Sequence, residues 1–229
     1  SYGLHHWGFV AWAFYSLPTL AIAYPFYVRK VPQLKYSNSA QYWLKGRERS
    51  WLARLMDSFF MIALIGGAGS SLGISTPLIS AFVSRLTGLP DGFVLEVAVV
   101  VVCVALFSLS VWLGLSRGIR RLSDVNIALA FLFLLFILLA GDTLFILRMA
   151  VNSMGHLLQN TLAMTFWTDP IANTGFVGDW TVFYWAWWIA YGPFVGIFVA
   201  RISRGRTLRE VVFGMLCLGS LGVWLFFYV

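Results

Sequence analysis

Long apolar stretches alternate along this chain with shorter polar connections. Each apolar stretch is near the roughly 20 residues that a helix needs to cross the hydrocarbon core of a bilayer. We therefore predict six transmembrane helices, at about residues 7–28, 55–84, 97–116, 125–148, 180–200 and 210–229. The stretch 55–84 is the longest, so it must tilt or break. Closed barrels are the other structure that a bilayer permits, but the chain lacks their short alternating strands.

One polar stretch has a helical pattern of its own. Between residues 150 and 166, apolar side chains recur at steps of three and four, namely Val151, Met154, Leu158 and Leu162. The stretch is too polar to span a membrane. This pattern predicts an amphipathic helix that lies along the membrane interface.

Composition agrees with a membrane protein. Of the 229 residues, 60% are hydrophobic and 11% are charged, whereas a soluble domain has roughly 25% charged residues. We predict an all-α, multi-pass integral membrane protein with a single transmembrane domain over residues 1–229. Since the chain starts and ends in apolar stretches, we interpret it as an internal fragment of a longer protein.

The net charge of +7 is concentrated in three connections, within residues 29–54, 117–121 and 201–209. Positively charged loops stay in the cytoplasm, so the connections 86–96 and 149–179 are predicted to face outside. The same basic charge attracts anionic lipid head groups. Membrane topology therefore accounts for the basic charge of these connections. We predict no nucleic-acid partner.

Aromatic residues are concentrated in two places. Six large rings lie within residues 183–191. On a helix, four of them share an arc of about 100°, namely Tyr184, Trp187, Trp188 and Tyr191, while Trp185 points away. A second set near the N-terminus shares an arc of about 140° and consists of Trp7, Trp12 and Tyr15.

Rings at this density predict a binding site for a quaternary ammonium. Such a cation offers no N–H group, and the negative faces of Trp and Tyr attract it by roughly 0.5–2 kcal/mol per ring. The alternative is an interfacial belt of Trp and Tyr. A belt does not require four rings on one arc that extends two turns into the bilayer, so we favour the binding site.

Residues for other chemistry are sparse. His5, His6 and His156 have no metal-binding spacing, and we interpret each as a polar residue of the interface. We predict no catalytic residue, no metal and no cofactor, and the chain is not expected to be an enzyme. The glycine-rich run at 66–73 has two interpretations, close packing of helices or contact with an ion or substrate.

Several motifs closely resemble those of the betaine/carnitine/choline transporter family. The sequences are FYWAWWIAYGPFVG at 183–196, ARISRGRTLRE at 200–210, HWGFVAWAFY at 6–15, SSLGI at 70–74, GIRRLSDVN at 118–126 and FWTDP at 166–170. The resemblance implies a secondary active transporter with twelve spans and LeuT-type inverted repeats, of which this chain resembles spans four to nine. It also implies a bacterial inner membrane and a possible homotrimer.

By this resemblance, the central aromatic box around the ammonium consists of Trp7, Trp12, Tyr15 and Trp188, and Trp187 and Tyr191 line the path to the cytoplasm. The family commonly has Trp at position 191, Ser at 190 and Pro at 11, where this chain has Tyr191, Ala190 and Ala11. Choline, glycine betaine, carnitine and a sulfonium analogue all stay open as substrates.

The coupling ion also stays open between Na⁺ and H⁺. Sodium-driven members of the family have two Thr at the positions of Leu64 and Ala68, together with Phe at the position of Phe194. Neither Leu64 nor Ala68 offers a side-chain oxygen, so we expect that sodium site to be lost. An uncoupled exchanger and an osmotically responsive, channel-like protein are the alternatives to a coupled transporter.

Overall fold

The computed structural model describes residues 1–44, 50–112 and 120–229, except the side chains of Gln41 and Arg120. These residues are helical with short connections, and no strand occurs among them. The long helices are α1 (Tyr2–Val28), α2 (Trp51–Thr87), α3 (Phe93–Trp112), α4 (Arg120–Ala140), α5 (Thr143–Phe166), α6 (Val177–Ile202) and α7 (Leu208–Tyr228). Two short helical turns, Tyr36–Ala40 and Gln41–Leu44, follow α1.

Six of these helices are long and apolar enough to cross a membrane, and α5 is the long helix outside that set. The predicted all-α membrane fold is therefore confirmed. The end of the predicted span 97–116 and several of the predicted cytoplasmic charges lie outside the described residues, namely Lys45, Arg47, Arg49 and Arg117.

One predicted boundary is wrong. Helix α4 ends at Ala140 rather than at 148, and α5 begins at Thr143 rather than at 150. Asp142 is the reason, because its carboxylate accepts a hydrogen bond of 3.0 Å from the backbone N–H of Phe145. This bond satisfies an N–H in the first turn that has no partner within the helix.

Helix α5 also buries a face that the pattern did not single out. Leu157 and Met164 pack with Leu4 of α1 and Trp224 of α7 in a buried cluster. Most of the predicted apolar stripe is exposed instead, including Leu158 at 61%. The helix thus has apolar side chains on two faces, and the buried one joins it to α1 and α7.

The chain divides into two compact units, Ser1–Gly67 with Asp142–Val229 and Ala68–Gly141. In the first unit, α1 and α6 pack along much of their length. Gly196 makes this possible, because a Cβ there would lie 2.9 Å from the backbone of Pro18. Next to this contact, Ile22, Ala23 and Ala200 form a buried cluster. Small residues thus bring the two helix backbones together.

Helix α1 is kinked at Gly8, whose ψ of −123° is not helical. The indole of Trp224 packs directly on Gly8, where a Cβ would collide with it. The Trp224 Nε1–H donates a hydrogen bond of 2.9 Å to the carbonyl of Leu4. That carbonyl is the ordinary acceptor of the Gly8 N–H, so an inserted side chain accounts for the kink.

Polar side chains in the first unit also fix its connections. Asp57, the acidic residue of α2 in this unit, accepts hydrogen bonds from the backbone N–H and the hydroxyl of Ser37, at 2.8 and 3.0 Å. Thr207 and Glu210 form a capping box at the start of α7. Gly205 supplies the positive φ of +87° that the turn before it requires.

The second unit contains the rest of α2, together with α3 and α4. Within this unit, the hydroxyl of the fully buried Ser80 donates a hydrogen bond of 2.7 Å to the carboxylate of Asp91. Most of its large apolar side chains are exposed, including Phe107 at 57% and Leu132 at 64%.

Candidate functional site

The four residues of the predicted box form a continuous series of ring contacts between α1 and α6. The ring of Trp188 is 4.8 Å from that of Trp7 and 5.7 Å from that of Tyr15 between centroids, and Tyr15 is 5.8 Å from Trp12. All three pairs are nearly perpendicular, at 76° to 81°. Trp188 is buried at 2% exposure.

These perpendicular pairs are in direct edge-to-face contact, which is a usual arrangement of packed aromatic rings. A cation is attracted by a ring whose centroid lies within about 6 Å. Since the rings of Trp7 and Tyr15 touch that of Trp188, a methylated cation would bind beside these pairs, on ring faces that their neighbours leave open.

Tyr184 extends the series toward the start of α6. Its ring is stacked on Trp188 at 5.6 Å and 13°, and it contacts Trp7 at 5.5 Å. On its other side lies His6 at 5.3 Å. Tyr184 thus lies next to Trp7 and Trp188 of the box.

The two residues predicted to line the path are at the edge of this group. Trp187 contacts Trp188 at 6.4 Å and Phe183 at 5.3 Å. Tyr191 lies one turn further along α6, and its ring packs on Gly67 of α2 so closely that a Cβ at Gly67 would collide with it. Their role in a path stays a prediction.

The three residues of the predicted sodium position do not all belong to the first unit. The ring of Phe194 contacts that of Tyr191 at 5.9 Å, and Leu64 is half-buried. Ala68 is exposed and belongs to the other unit. The loss of this sodium site therefore stays a prediction from the side chains alone.

Two histidines depart from their predicted place. His5 and His6 are buried, each at 2% exposure, whereas we expected polar residues of the interface. The Nε2 atom of His5 is 3.0 Å from the hydroxyl of Thr165 on α5, and that of His6 is 3.1 Å from the hydroxyl of Thr181 on α6. These bonds explain how two polar rings are buried without penalty at those atoms.

Little in the amino-acid sequence points to this buried histidine pair. His5 and His6 come directly before an apolar stretch, and this position is typical of polar residues at a membrane interface. The partners Thr165 and Thr181 are about 160 and 175 positions away in the chain. Only folding brings them to the pair, which lies directly beside the ring of Tyr184.

Trp185 lies on another side of α6, as its position on the helix predicts. Its ring packs against Phe14 of α1 at 5.8 Å. Trp185 therefore belongs to the contact between the two helices rather than to the box.

The box is apolar and carries no formal charge of its own. Residues 2–28 and 180–200 contain no Asp, Glu, Lys or Arg. Trp12 also lines an open cavity of about 680 Å³ between the end of α6 and the first half of α7, where Arg206 and Glu210 are the charged lining residues. Attraction of a cation at the box would thus come from the rings.

Outside the spans, Asp169 fixes the connection between α5 and α6. Its carboxylate accepts hydrogen bonds from the hydroxyl and the backbone N–H of Thr174, at 2.6 and 2.7 Å. The hydroxyl bond first, and then the bonds from backbone N–H groups, lower the pKa of this carboxyl. Asp169 has a positive φ of 50°, so this connection is a tight, hydrogen-bonded turn.

Comparisons with known proteins show the family to which the chain belongs. The model of the betaine/carnitine/choline family transporters matches residues 1–229. The chain belongs to this family. It is also 40% identical, over 228 residues, to the uncharacterized transporter YeaV of Escherichia coli (strain K12). Because members of the betaine/carnitine/choline family are transporters, the prediction that the chain is not an enzyme is confirmed.

The match to YeaV covers 100% of this chain but 47% of that protein. The chain thus spans about half the length of the curated relative. Membership of the family and the six apolar helices show a multi-pass membrane protein.

Proposed function

We propose that this chain is part of a secondary active transporter that takes up a quaternary ammonium solute across a bacterial inner membrane. The observation that carries the proposal is the series of perpendicular rings from Trp7 through Trp188 and Tyr15 to Trp12. Membership of the betaine/carnitine/choline family supports it. Cages of aromatic rings are a recurrent means by which proteins bind quaternary ammonium ligands.

The substrate lies between α1 and α6, and the transporter exposes it to each side of the membrane in turn. Trp188 is the central wall, because it contacts Trp7, Tyr15 and Tyr184. The kink at Gly8 directs Trp7 toward Trp188, and Trp224 holds that kink. Three or four ring contacts supply several kcal/mol, which is enough for micromolar to millimolar binding after the cost of ordering.

The test is uptake by the full-length protein of labelled choline, glycine betaine and carnitine. We expect saturable uptake of at least one of these solutes, and we expect Trp188→Ala to abolish it. Trp185→Ala is the matched control, because it removes the same ring from the same helix outside the box. Both variants must first be shown to reach the membrane.

Two outcomes would contradict the proposal. Uptake by Trp188→Ala at the rate of the unchanged protein would remove the box from the mechanism. Uptake that stays proportional to concentration would favour a channel-like protein.

We also propose that transport does not use sodium at the position of Leu64, Ala68 and Phe194, because two of these side chains offer no oxygen ligand. Replacing Na⁺ by K⁺ during the uptake assay tests this. Unchanged uptake that an uncoupler abolishes indicates proton coupling, and uptake that needs only internal substrate indicates exchange. Uptake that requires Na⁺ and is lost in Phe194→Ala, while Trp188-dependent binding persists, would contradict the proposal.

A further inference from the structure

A buried ring nitrogen at the start of α1 has no hydrogen-bond partner. Among the described residues, the Nδ1 atom of His5 is buried and unbonded, and the residue as a whole is 2% exposed. A buried polar atom without a partner is rare in folded proteins. His5 does not belong to the aromatic box, so this nitrogen needs an explanation of its own.

The neighbouring hydrogen bonds determine which nitrogen of His5 carries the ring proton. The hydroxyl of Thr165 donates to the carbonyl of Thr161 at 2.8 Å. The oxygen of that hydroxyl is then the acceptor for the Nε2–H of His5, which lies 3.0 Å away. A neutral imidazole carries one N–H, so the Nδ1 atom of His5 has a free lone pair. That lone pair is a site for one further proton.

The helices around His5 offer no counter-charge for such a proton. Residues 2–28 of α1 and 143–166 of α5 contain no Asp or Glu. The carboxylate of Asp169 is bonded to Thr174, and Asp179 is exposed at the start of α6. The other titratable side chains at this end of the packed helices are Tyr2, His6, His156, Tyr184 and Tyr228.

A charge that is buried without a partner is unfavourable. In the packed arrangement of α1 on α5, the added charge of an imidazolium at His5 would have neither an acceptor for its Nδ1–H nor a carboxylate beside it. This arrangement therefore holds His5 in its neutral form.

Water lies one side chain away from the two histidines. The ring of Tyr2 contacts His5 at 6.3 Å and His6 at 5.7 Å between centroids. Tyr2 also lines an open cavity of about 260 Å³ beside α5. This end of α1 is opposite to the basic connection 29–54, so topology predicts that it faces outside. A proton would then reach the pair from the external side.

From these observations, together with the proposed function on which it rests, we infer that His5 is a proton-binding site that controls the contact of α1 with α5. A proton from external water forms an N–H bond with the Nδ1 lone pair and makes the ring an imidazolium. Because the packed arrangement does not accommodate that charge, proton binding favours separation of the two helices, where water solvates it. External acid thus shifts the transporter toward a form that is open to the outside.

The test measures the access of external water to a buried position of α5. Met164 is 4% exposed and packs with Leu4 of α1, so a cysteine there is shielded until α1 and α5 separate. The full-length protein without other cysteines carries Met164→Cys, and whole cells are treated with a membrane-impermeant thiol reagent. Gln159→Cys, at an exposed position of the same helix, corrects for titration of the thiol itself.

We expect the labelling rate of Met164→Cys relative to Gln159→Cys to rise at least about threefold from pH ~8 to pH ~5.5, because a histidine changes its charge in this range. In His5→Gln the titrating ring is absent, and we expect a change of less than about 1.5-fold. If His5→Gln does not reach the membrane, His5→Phe takes its place as a ring without a titratable nitrogen.

His156→Gln is the matched control, because His156 is an exposed histidine of α5. We expect this variant to keep the rise in relative labelling at low pH. A rise that His156→Gln abolishes would assign the pH dependence to the wrong histidine and overturn the inference.

Two further outcomes would overturn the inference and leave the proposed function intact. One is relative labelling that does not depend on pH when all three histidines are present. The other is a rise that persists in both His5→Gln and His5→Phe. Uptake of choline, glycine betaine and carnitine by the same cells tests the proposed function separately, and the absence of uptake of all three would contradict it.

Discussion

Helices α1 and α3 differ in how much of their apolar sequence is buried. In the most apolar stretch of α1, 33% of the residues are buried, against 6% in α3. Yet α3 is the more apolar of the two, and so is α4, in which 6% are buried as well. Helices α1 and α6, in which 33% and 22% of the residues are buried, are the least apolar of the six spans.

This contrast follows from the solvent. Lipid tails are as apolar as leucine side chains, so hydrophobicity does not drive helices together within a bilayer. Packing between helices depends on small residues and on polar groups that find partners. Helices α1 and α6 meet through Gly196 and through the hydrogen bond between His6 and Thr181, whereas α3 and α4 present Val, Leu and Phe outward.

The largest effect is expected from adding one methyl group at the contact of α1 and α6. In Gly196→Ala the new Cβ would lie 2.9 Å from the backbone of Pro18. We expect destabilisation of about 1–3 kcal/mol from overpacking, reduced by the better helix propensity of Ala. The midpoint of thermal unfolding of the full-length protein in detergent measures it.

Gly73→Ala is the matched control in the second unit. No atom lies within 4 Å of a Cβ at that position, so we expect a gain of up to about 1 kcal/mol from helix propensity. Equal destabilisation by Gly73→Ala would break the contrast between the two units, because it would show that α2 packs closely there in the full-length protein.

A smaller effect is expected at the histidine pair. Thr181→Val keeps the shape of the side chain but removes the hydroxyl that lies 3.1 Å from His6. Since His6 is buried, losing this partner should cost about 1 kcal/mol or somewhat more. Thermal unfolding of the full-length protein would again be measured.

Thr87→Val, in the second unit, serves as the comparison. Thr87 is exposed, and its hydroxyl donates to the carbonyl of Val83 in its own helix and accepts a long bond of 3.4 Å from the backbone N–H of Leu89. A change within about 0.5 kcal/mol is therefore expected. Equal losses of thermal stability in Thr181→Val and Thr87→Val would mean that the bond between Thr181 and His6 makes no specific contribution to stability.

The smallest effect concerns pH and the connection between α5 and α6. Because hydrogen bonds lower the pKa of Asp169 in the folded protein, its stabilising effect is fully present above the ordinary carboxyl pKa of about 3.9. The effect is lost as the pH falls through the lowered value. We expect Asp169→Asn to unfold at a lower temperature at pH ~7, with the difference shrinking toward pH ~3.

Asp142→Asn tests whether this behaviour is specific to Asp169. Asp142 caps helix α5 with its carboxylate. The amide oxygen of Asn can accept the same hydrogen bond. A difference between Asp169→Asn and the unchanged protein that stays constant from pH 3 to 7 would contradict the assignment to ionisation.

Much of the fold was predictable because the bilayer restricts it. Six spans and the all-α class follow from apolar length alone. The boundary near residue 142 was missed, because Asp142 was interpreted as part of a span instead of the cap of α5. A single capping residue is not detected when a sequence is searched only for long apolar stretches.

The candidate site was predictable in its members but not in its arrangement. Helical periodicity places Tyr184, Trp188 and Tyr191 on one arc, and it separates Trp185 from them. It cannot show that the ring of Tyr15 contacts that of Trp188, because this contact joins residues more than 170 positions apart. The buried place of His6 was missed for the same reason, since its partner Thr181 is just as distant.

Composition and helical period are local properties, which each segment has before it meets any other. They were enough to predict about six membrane-spanning helices and dense aromatic faces on two of them. Tertiary packing adds that the two faces meet and that Trp224 bends α1 at Gly8. These features depend on contacts between distant segments, where small residues set how closely the backbones approach.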